Sequence, residues 1–247
     1  MTYRHLVAAA LLCLCSAPLT AAVPTPSLNG DGTYAFEEPV FYLTWLKQQP
    51  DYDYAANKTE LAKAFFWNRY VQNRNNEFSL QGVLQDAAAK VEAAVDQWPE
   101  DTVFRIRTGA SFGEYDFDNE QFAFDPIDQD AYYPISLGRR LYNPNSWTSQ
   151  AGYALTIADA VDVDGLPVPR DKAQSMIESR TSRSGRIDRS VVMVYTIEVL
   201  SAGTTEVSYN NTVKELKGRI TSAKAYVVGD RQPVSDDALL ASWPADS

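Results

Sequence analysis

The sequence contains one histidine, His5, and two cysteines, Cys13 and Cys15. All three fall in the opening stretch "MTYRHLVAAALLCLCSAPLTAA". That stretch has the layout of a secretory signal peptide. Arg4 is the positive n-region, Leu6 to Leu14 the apolar h-region, and Thr20-Ala21-Ala22 a small-residue cleavage site. A mature chain starting at Val23 would carry neither residue type. It could form no disulfide even in a compartment that permits them, so packing alone would have to hold the fold. Zinc, copper and iron sites built on Cys or His are excluded. So are nucleophile systems that depend on a histidine base.

Long hydrophobic runs are missing too. The h-region falls well short of the roughly 20 apolar residues of a membrane-spanning helix, and no later run reaches that length. The sequence therefore predicts no transmembrane segment, and a periplasmic or secreted protein. Positive charge is also scarce, with 22 Lys plus Arg against 32 Asp plus Glu, a net charge of -10. Loss of Arg4 with the leader would take -10 to -11. Such a surface repels phosphate backbones, which excludes nucleic acid as a partner.

Hydrophobic residues at 45% and aromatics at 12% mark a folded chain. After the signal peptide (1–22), residues 23–33 are rich in Pro, Gly and Asn and read as a flexible leader. Residues 34–99 read as helical. A short helix is expected from Val40 to Gln48, with Pro39 in its first turn and Pro50 beyond its end. Asn57 and Glu60 have capping-box spacing for a second helix running to Asn73. Leu80, Val83, Leu84, Ala87, Ala88, Val91, Ala94, Val95 and Trp98 then form one apolar stripe, with Ser79 as N-cap and Pro99 as stop.

From about Thr102 the period changes from 3.6 to 2. "VFRIRT", "EYDFD", "GYALTIADA", "RSVVMVYTIEVL" and "GRITSAKAYVV" read as strands. Turn signals lie at Asp164-Gly165, Ala202-Gly203 and Asn210-Asn211. "RDKAQSMIESR" reads as a short helix capped at Asp171. Residues 100–232 are thus β-rich and share one domain with 34–99, and 233–247 form a C-terminal tail. Helices first and strands afterwards predict an α+β fold, with N-terminal helices packed on a mostly antiparallel sheet from the C-terminal half.

Gly109-Ala110-Ser111-Phe112-Gly113 matches the G-x-S-x-G elbow of serine hydrolases. An elbow needs a helix after the serine and a base beside it. Here "EYDFD" continues as strand, and no histidine remains. The pentapeptide reads as a turn between strands, and no catalytic residue is assigned. Calcium, bound by oxygen alone, is the one metal left open. "SLNGDGTYAFEE" and "ADAVDVDGLPVPRD" approach the EF-hand pattern, but Ser27 and Ala160 stand where the first ligand belongs. No cofactor is expected.

Two features remain as a candidate interaction surface. From Thr108 to Gly138 there is no Lys or Arg, and Glu114, Asp116 and Asp118 share one face of a strand opposite Tyr115 and Phe117. Opposite in sign, Arg180, Arg183, Arg186 and Arg189 recur at steps of three. They could grip a carboxylate or phosphate, or pair with the acidic segment within the chain or between copies. The sequence thus points to an exported binding or envelope-associated interaction protein without catalytic activity, with a protein or glycan partner and scope for self-association. The alternative is a carboxylate-based glycan hydrolase or carbohydrate-binding module, because glycosidases need only two carboxylates.

Overall fold

The computed structural model describes residues 23, 28–127, 132–136, 151–207, 211–227 and 235–244. The signal peptide, the Asn210 turn position and the acids Asp128 and Asp130 lie outside the described residues.

The chain begins with β1 (Tyr34–Ala35) and four helices: α1 (Glu38–Lys47), α2 (Lys58–Phe65), α3 (Trp67–Asn73) and α4 (Glu77–Asp96). Strands β2 (Val103–Ser111), β3 (Tyr115–Asp116), β4 (Gln121–Phe122), β5 (Tyr132–Ser136), β6 (Ala151–Asp159) and β7 (Leu166–Pro167) follow. Then come helix α5 (Arg170–Ser179) and the long strands β8 (Ser190–Val207) and β9 (Asn211–Tyr226). A 3₁₀ turn and β10 (Leu239–Pro244) complete the order. The main sheet runs β1-β2-β8-β9-β6-β5, and β10 also lies along β9. Pairings β1–β2 and β6–β9 are parallel and the other four are antiparallel. The architecture is α+β, with N-terminal helices on a mostly antiparallel sheet.

The β8–β9 pair is the spine. Val191, Met193, Tyr195 and Ile197 alternate inward, and every one is buried in the main core. Val192 and Val194 face the other side and join Tyr226 in a small second cluster. One extra residue in β9, Thr221, falls between the pairs Ile197–Ile220 and Thr196–Ser222. This bulge keeps Ile220 and Ala223 on the same buried face despite odd spacing. Gly218 is needed where it stands, because a Cβ there would meet the Ile197 side chain at 2.6 Å.

Helix α1 lies between the sheet and the other helices, so its middle residues, Val40 to Leu46, are all buried. Phe41 meets Tyr153 of the sheet at 5.0 Å between ring centroids, and Tyr42 stacks on Phe65 of α2 at 5.4 Å. Trp45 donates from Nε1 to the Gly203 carbonyl at 2.7 Å. α4 buries Val83, Leu84, Ala87, Val91 and Val95, the centre of the stripe read from sequence. Burial of each such side chain is worth roughly 1.5–3 kcal/mol for the larger ones.

Several expectations are corrected. Ala202-Gly203 is no turn, because β8 continues through it and Trp45 uses the Gly203 carbonyl. Asn57 and Glu60 form no capping box. The Asn57 amide donates back to Asp53 O, and the Glu60 carboxylate instead accepts from the Tyr42 hydroxyl and the Lys214 ammonium, both at 2.6 Å. The helix expected to reach Asn73 breaks at Phe66, whose backbone leaves helical geometry while its ring is buried. α4 is capped by Asn76, whose side chain accepts from the Ser79 amide, because the helix starts earlier than the apolar stripe. α5 starts after Pro169, with Asp171 inside its first turn. The segment read as a C-terminal tail holds β10, which pairs with β9, and the leader closes a turn at Asn29–Thr33.

Among the described residues no helix is long and apolar enough to cross a membrane.

Candidate functional site

Two excursions from the main sheet pack on each other. The first leaves β2 at Phe112 and makes the hairpin β3–β4. The second leaves β6 and makes β7, α5 and the arginine loop before returning into β8. β3, β4 and β7 form a small three-stranded sheet, and the pieces are sewn together by backbone groups. Tyr115 donates its hydroxyl to Val168 O at 2.8 Å, and the Val168 amide donates to Glu120 O at 3.2 Å. Gly165 has a φ of 74° and lies against the Gln121 side chain, so the turn read at Asp164-Gly165 requires its glycine.

Between hairpin and helix lies a cleft of about 590 Å³. The hairpin contributes Glu114, Tyr115, Phe117 and Phe122, and β8 is preceded by Arg189, which closes one side. α5 contributes Arg170, Ala173, Gln174, Ile177 and Glu178. These five recur at i, i+3, i+4, i+7 and i+8, so they form one face of the helix. The cleft is within the roughly 300–1,000 Å³ of small-ligand sites. Its floor is apolar, and its rim carries two cations and two carboxylates.

Phe117 is the unusual member. Phe122 and Phe124, its neighbours along the hairpin, are buried, whereas Phe117 is 63% exposed. Tyr115 stands edge-on to it, 5.1 Å away and at 80°. Arg170 lies over its ring at 5.5 Å and donates to its carbonyl at 3.1 Å. The exposed ring is thus held between an aromatic edge and a guanidinium, beside the apolar lining of the cleft.

The predicted surface is only partly assembled here. Glu114 and Arg189 line the cleft. Asp116 does not, because its carboxylate accepts from the amides of Asp118 and Asn119 and from the Asn119 side chain, and so holds the hairpin turn. Those bonds, the Asn119 side chain's first, draw its carboxyl below the usual range. Asp118 is exposed in the same turn. Arg180 lies behind the cleft. It pairs with Asp188 at 3.3 Å and donates to Ser190 O, while the Ser190 hydroxyl and amide and then Arg180 hold the Asp188 carboxyl down to about 2. Arg180 and Arg189 both stand over the buried Phe112 ring, at 5.9 and 5.6 Å. Arg183 and Arg186 are exposed in a loop that closes on itself through the Thr181–Ile187 bridge. Among the described residues none of the four arginines forms an ion pair with Glu114, Asp116 or Asp118. Within the chain, the two segments meet through a hydrogen bond from Arg189 to the Gly113 carbonyl rather than through an ion pair among the described residues.

Ser111 ends β2 opposite Ser190, so Gly109 to Ser111 are strand rather than the turn expected, and no helix follows. Of the calcium-like loops, Asp31 is committed to Thr33 and Arg105. Among the described residues no three His, Cys, Asp or Glu side chains gather as a metal cluster.

The family described as Domain of unknown function (DUF4852) matches residues 53–177, just over half of the chain. The chain belongs to this family. The DUF4852 match runs from the loop before α2 to Ile177 of α5, and so takes in the whole hairpin and most of the cleft-facing side of the helix. Glu178, Arg189 and the β8–β9 spine lie beyond it. No curated protein and no solved structure matches the chain.

Proposed function

We propose that this protein is an exported binding protein without catalytic chemistry, and that its ligand or partner inserts an apolar group into the α5–hairpin cleft. The observation that carries the reading is Phe117, exposed at the rim of an apolar-floored cleft and held there by Arg170 and Tyr115. Export to the periplasm or beyond rests on the n-region, h-region and cleavage pattern of residues 1–22. The absence of His and Cys after that point supports a binding role, since the remaining chemistry is that of carboxylates, hydroxyls and cations.

The test uses the chain from Val23 and indole as an apolar probe, read by saturation transfer from protein to ligand in NMR. Transfer to indole that is lost in Phe117→Ala, with an unchanged melting temperature, is the expected result. Equal transfer in both proteins would remove the cleft from the account.

One observation favours the glycan alternative, namely that Glu114 and Glu178 line the same cleft. Incubation with a chitin tetramer and a cellulose tetramer separates the two readings. Shorter products that disappear in Glu114→Gln would make the protein a hydrolase, and unchanged oligosaccharides leave the binding reading standing.

A further inference from the structure

The charges around the cleft specify more than an apolar guest. Two of the lining side chains are cations, Arg170 and Arg189, and two are carboxylates, Glu114 and Glu178. They are not paired with each other among the described residues. Arg170 and Arg189 bond to backbone carbonyls, those of Phe117 and Gly113, which leaves most of each guanidinium fork without a carboxylate partner. The Glu114 carboxylate is exposed and makes no hydrogen bond or ion pair among the described residues. Among the described residues the Glu178 carboxylate accepts only from its helix neighbour Gln174, at 2.8 Å.

Positive charge is also concentrated behind the Arg189 side. Arg180 shares the Phe112 ring with Arg189, and its Nη1 is buried without a hydrogen-bond partner among the described residues. Among the described residues Asp188 pairs with Arg180, and no carboxylate pairs with Arg189. A lone cation would find uncompensated repulsion at that side, and a lone anion would find it at Glu114. A guest bearing one charge of each sign on a common apolar body meets neither penalty.

Resting on the binding reading above, we infer that the ligand of this cleft is an apolar zwitterion: a carboxylate held at Arg189, an ammonium group held at the neighbouring Glu114 and at Glu178, and an apolar side chain against Phe117, Phe122 and Ile177. Free apolar amino acids and short apolar peptides share that chemistry.

Isothermal titration of the chain from Val23 tests this with five probes: phenylalanine, the dipeptide Leu-Phe, octanoate, octylamine and uncharged indole. The zwitterions are expected to bind about tenfold or more tighter than octanoate and octylamine, one lost charge-assisted contact being worth roughly that factor. Stronger binding of Leu-Phe assigns the site to peptides, and stronger binding of phenylalanine to free amino acids. Arg189→Gln and Glu114→Gln should each weaken the zwitterion about tenfold, a larger factor than either change makes to indole binding. Arg189 also bonds to Gly113, so a melting curve for each variant and the charge-preserving Arg189→Lys, which should bind the zwitterion more tightly than Arg189→Gln, guard against a folding defect. Octanoate or octylamine binding as tightly as the zwitterions would overturn the inference. So would charge variants that bind them normally. If indole binds and the zwitterions do not, only this inference fails. If indole does not bind either, the cleft reading fails with it.

Discussion

Arg170 holds its guanidinium 5.5 Å from the centroid of the Phe117 ring while donating to the Phe117 carbonyl at 3.1 Å. A single side chain at the start of α5 therefore fixes both the ring and the backbone of the hairpin tip. A cation–π contact at an exposed site is worth roughly 0.5–1 kcal/mol. Arg170→Ala should accordingly lower global stability little. It should instead speed amide hydrogen exchange at Phe117 to Glu120 severalfold, while exchange in β8 and β9 is unchanged. Unaltered exchange at the tip would mean that the hairpin turn, held by Asp116, needs no help from the helix.

Glu60 and Lys214 tie α2 to β9 across 154 residues of sequence, 2.6 Å apart. The ammonium also lies over the rings of Tyr42 and Trp45, at 5.2 and 5.0 Å. Removing Lys214 leaves the half-buried Glu60 carboxylate with the Tyr42 hydroxyl alone, and removing Glu60 leaves the ammonium without its carboxylate. Glu60→Gln and Lys214→Met should each cost roughly 1–3 kcal/mol in urea unfolding, and the double variant less than the sum. Strict additivity would show that the contact carries no coupling.

The same cluster sets an alkaline limit. Burial, then Glu60, pushes the Tyr42 hydroxyl far above its ordinary 10.0, and burial first pushes Tyr52 up to about 12. A tyrosine whose folded pKa is raised keeps its proton in the native state after the unfolded state has lost it. Stability is therefore fully present below pH 10 and falls as pH rises from 10 toward 12. Urea midpoints across that range should fall steeply, and less steeply in Tyr52→Phe. A flat profile above pH 10 would contradict the buried placement of these hydroxyls.

Tyr153 carries a cost. Its ring packs on Phe41 and Tyr42, yet its hydroxyl is buried without a hydrogen-bond partner among the described residues. Leaving such a group unsatisfied costs roughly 1–3 kcal/mol. Tyr153→Phe should raise the urea midpoint by a corresponding amount. A loss of stability would reveal a partner for the hydroxyl in solution.

Periodicity made much of the fold legible. The α4 stripe, the alternation at the start of β2 and the helix at "RDKAQSMIESR" could all be read, because burial imposes a repeat on neighbours in sequence. The misreadings share one cause, local spacing taken for local bonding. Glu60 sits three residues after Asn57, but its partners Tyr42 and Lys214 lie 18 and 154 residues away. The arginines at steps of three looked like one surface. The loop folds back at Gly185, with a φ of 79°, and distributes them between a buried ring, the cleft and open solvent. For the cleft itself one signal was available: Arg170, Ala173, Gln174, Ile177 and Glu178 share a helical face. Their meeting with Phe117 depends on β4 pairing with β7, a contact that no short window of sequence contains.

The most direct test of the central claim is to map where indole binds, by titrating it into isotope-labelled protein from Val23 and following the backbone amide spectrum. Shifts confined to Glu114 to Phe122, to the cleft-facing residues of α5 and to Arg189 are the predicted result. Shifts centred elsewhere, or none at millimolar indole, would contradict the assignment of this cleft as the binding site.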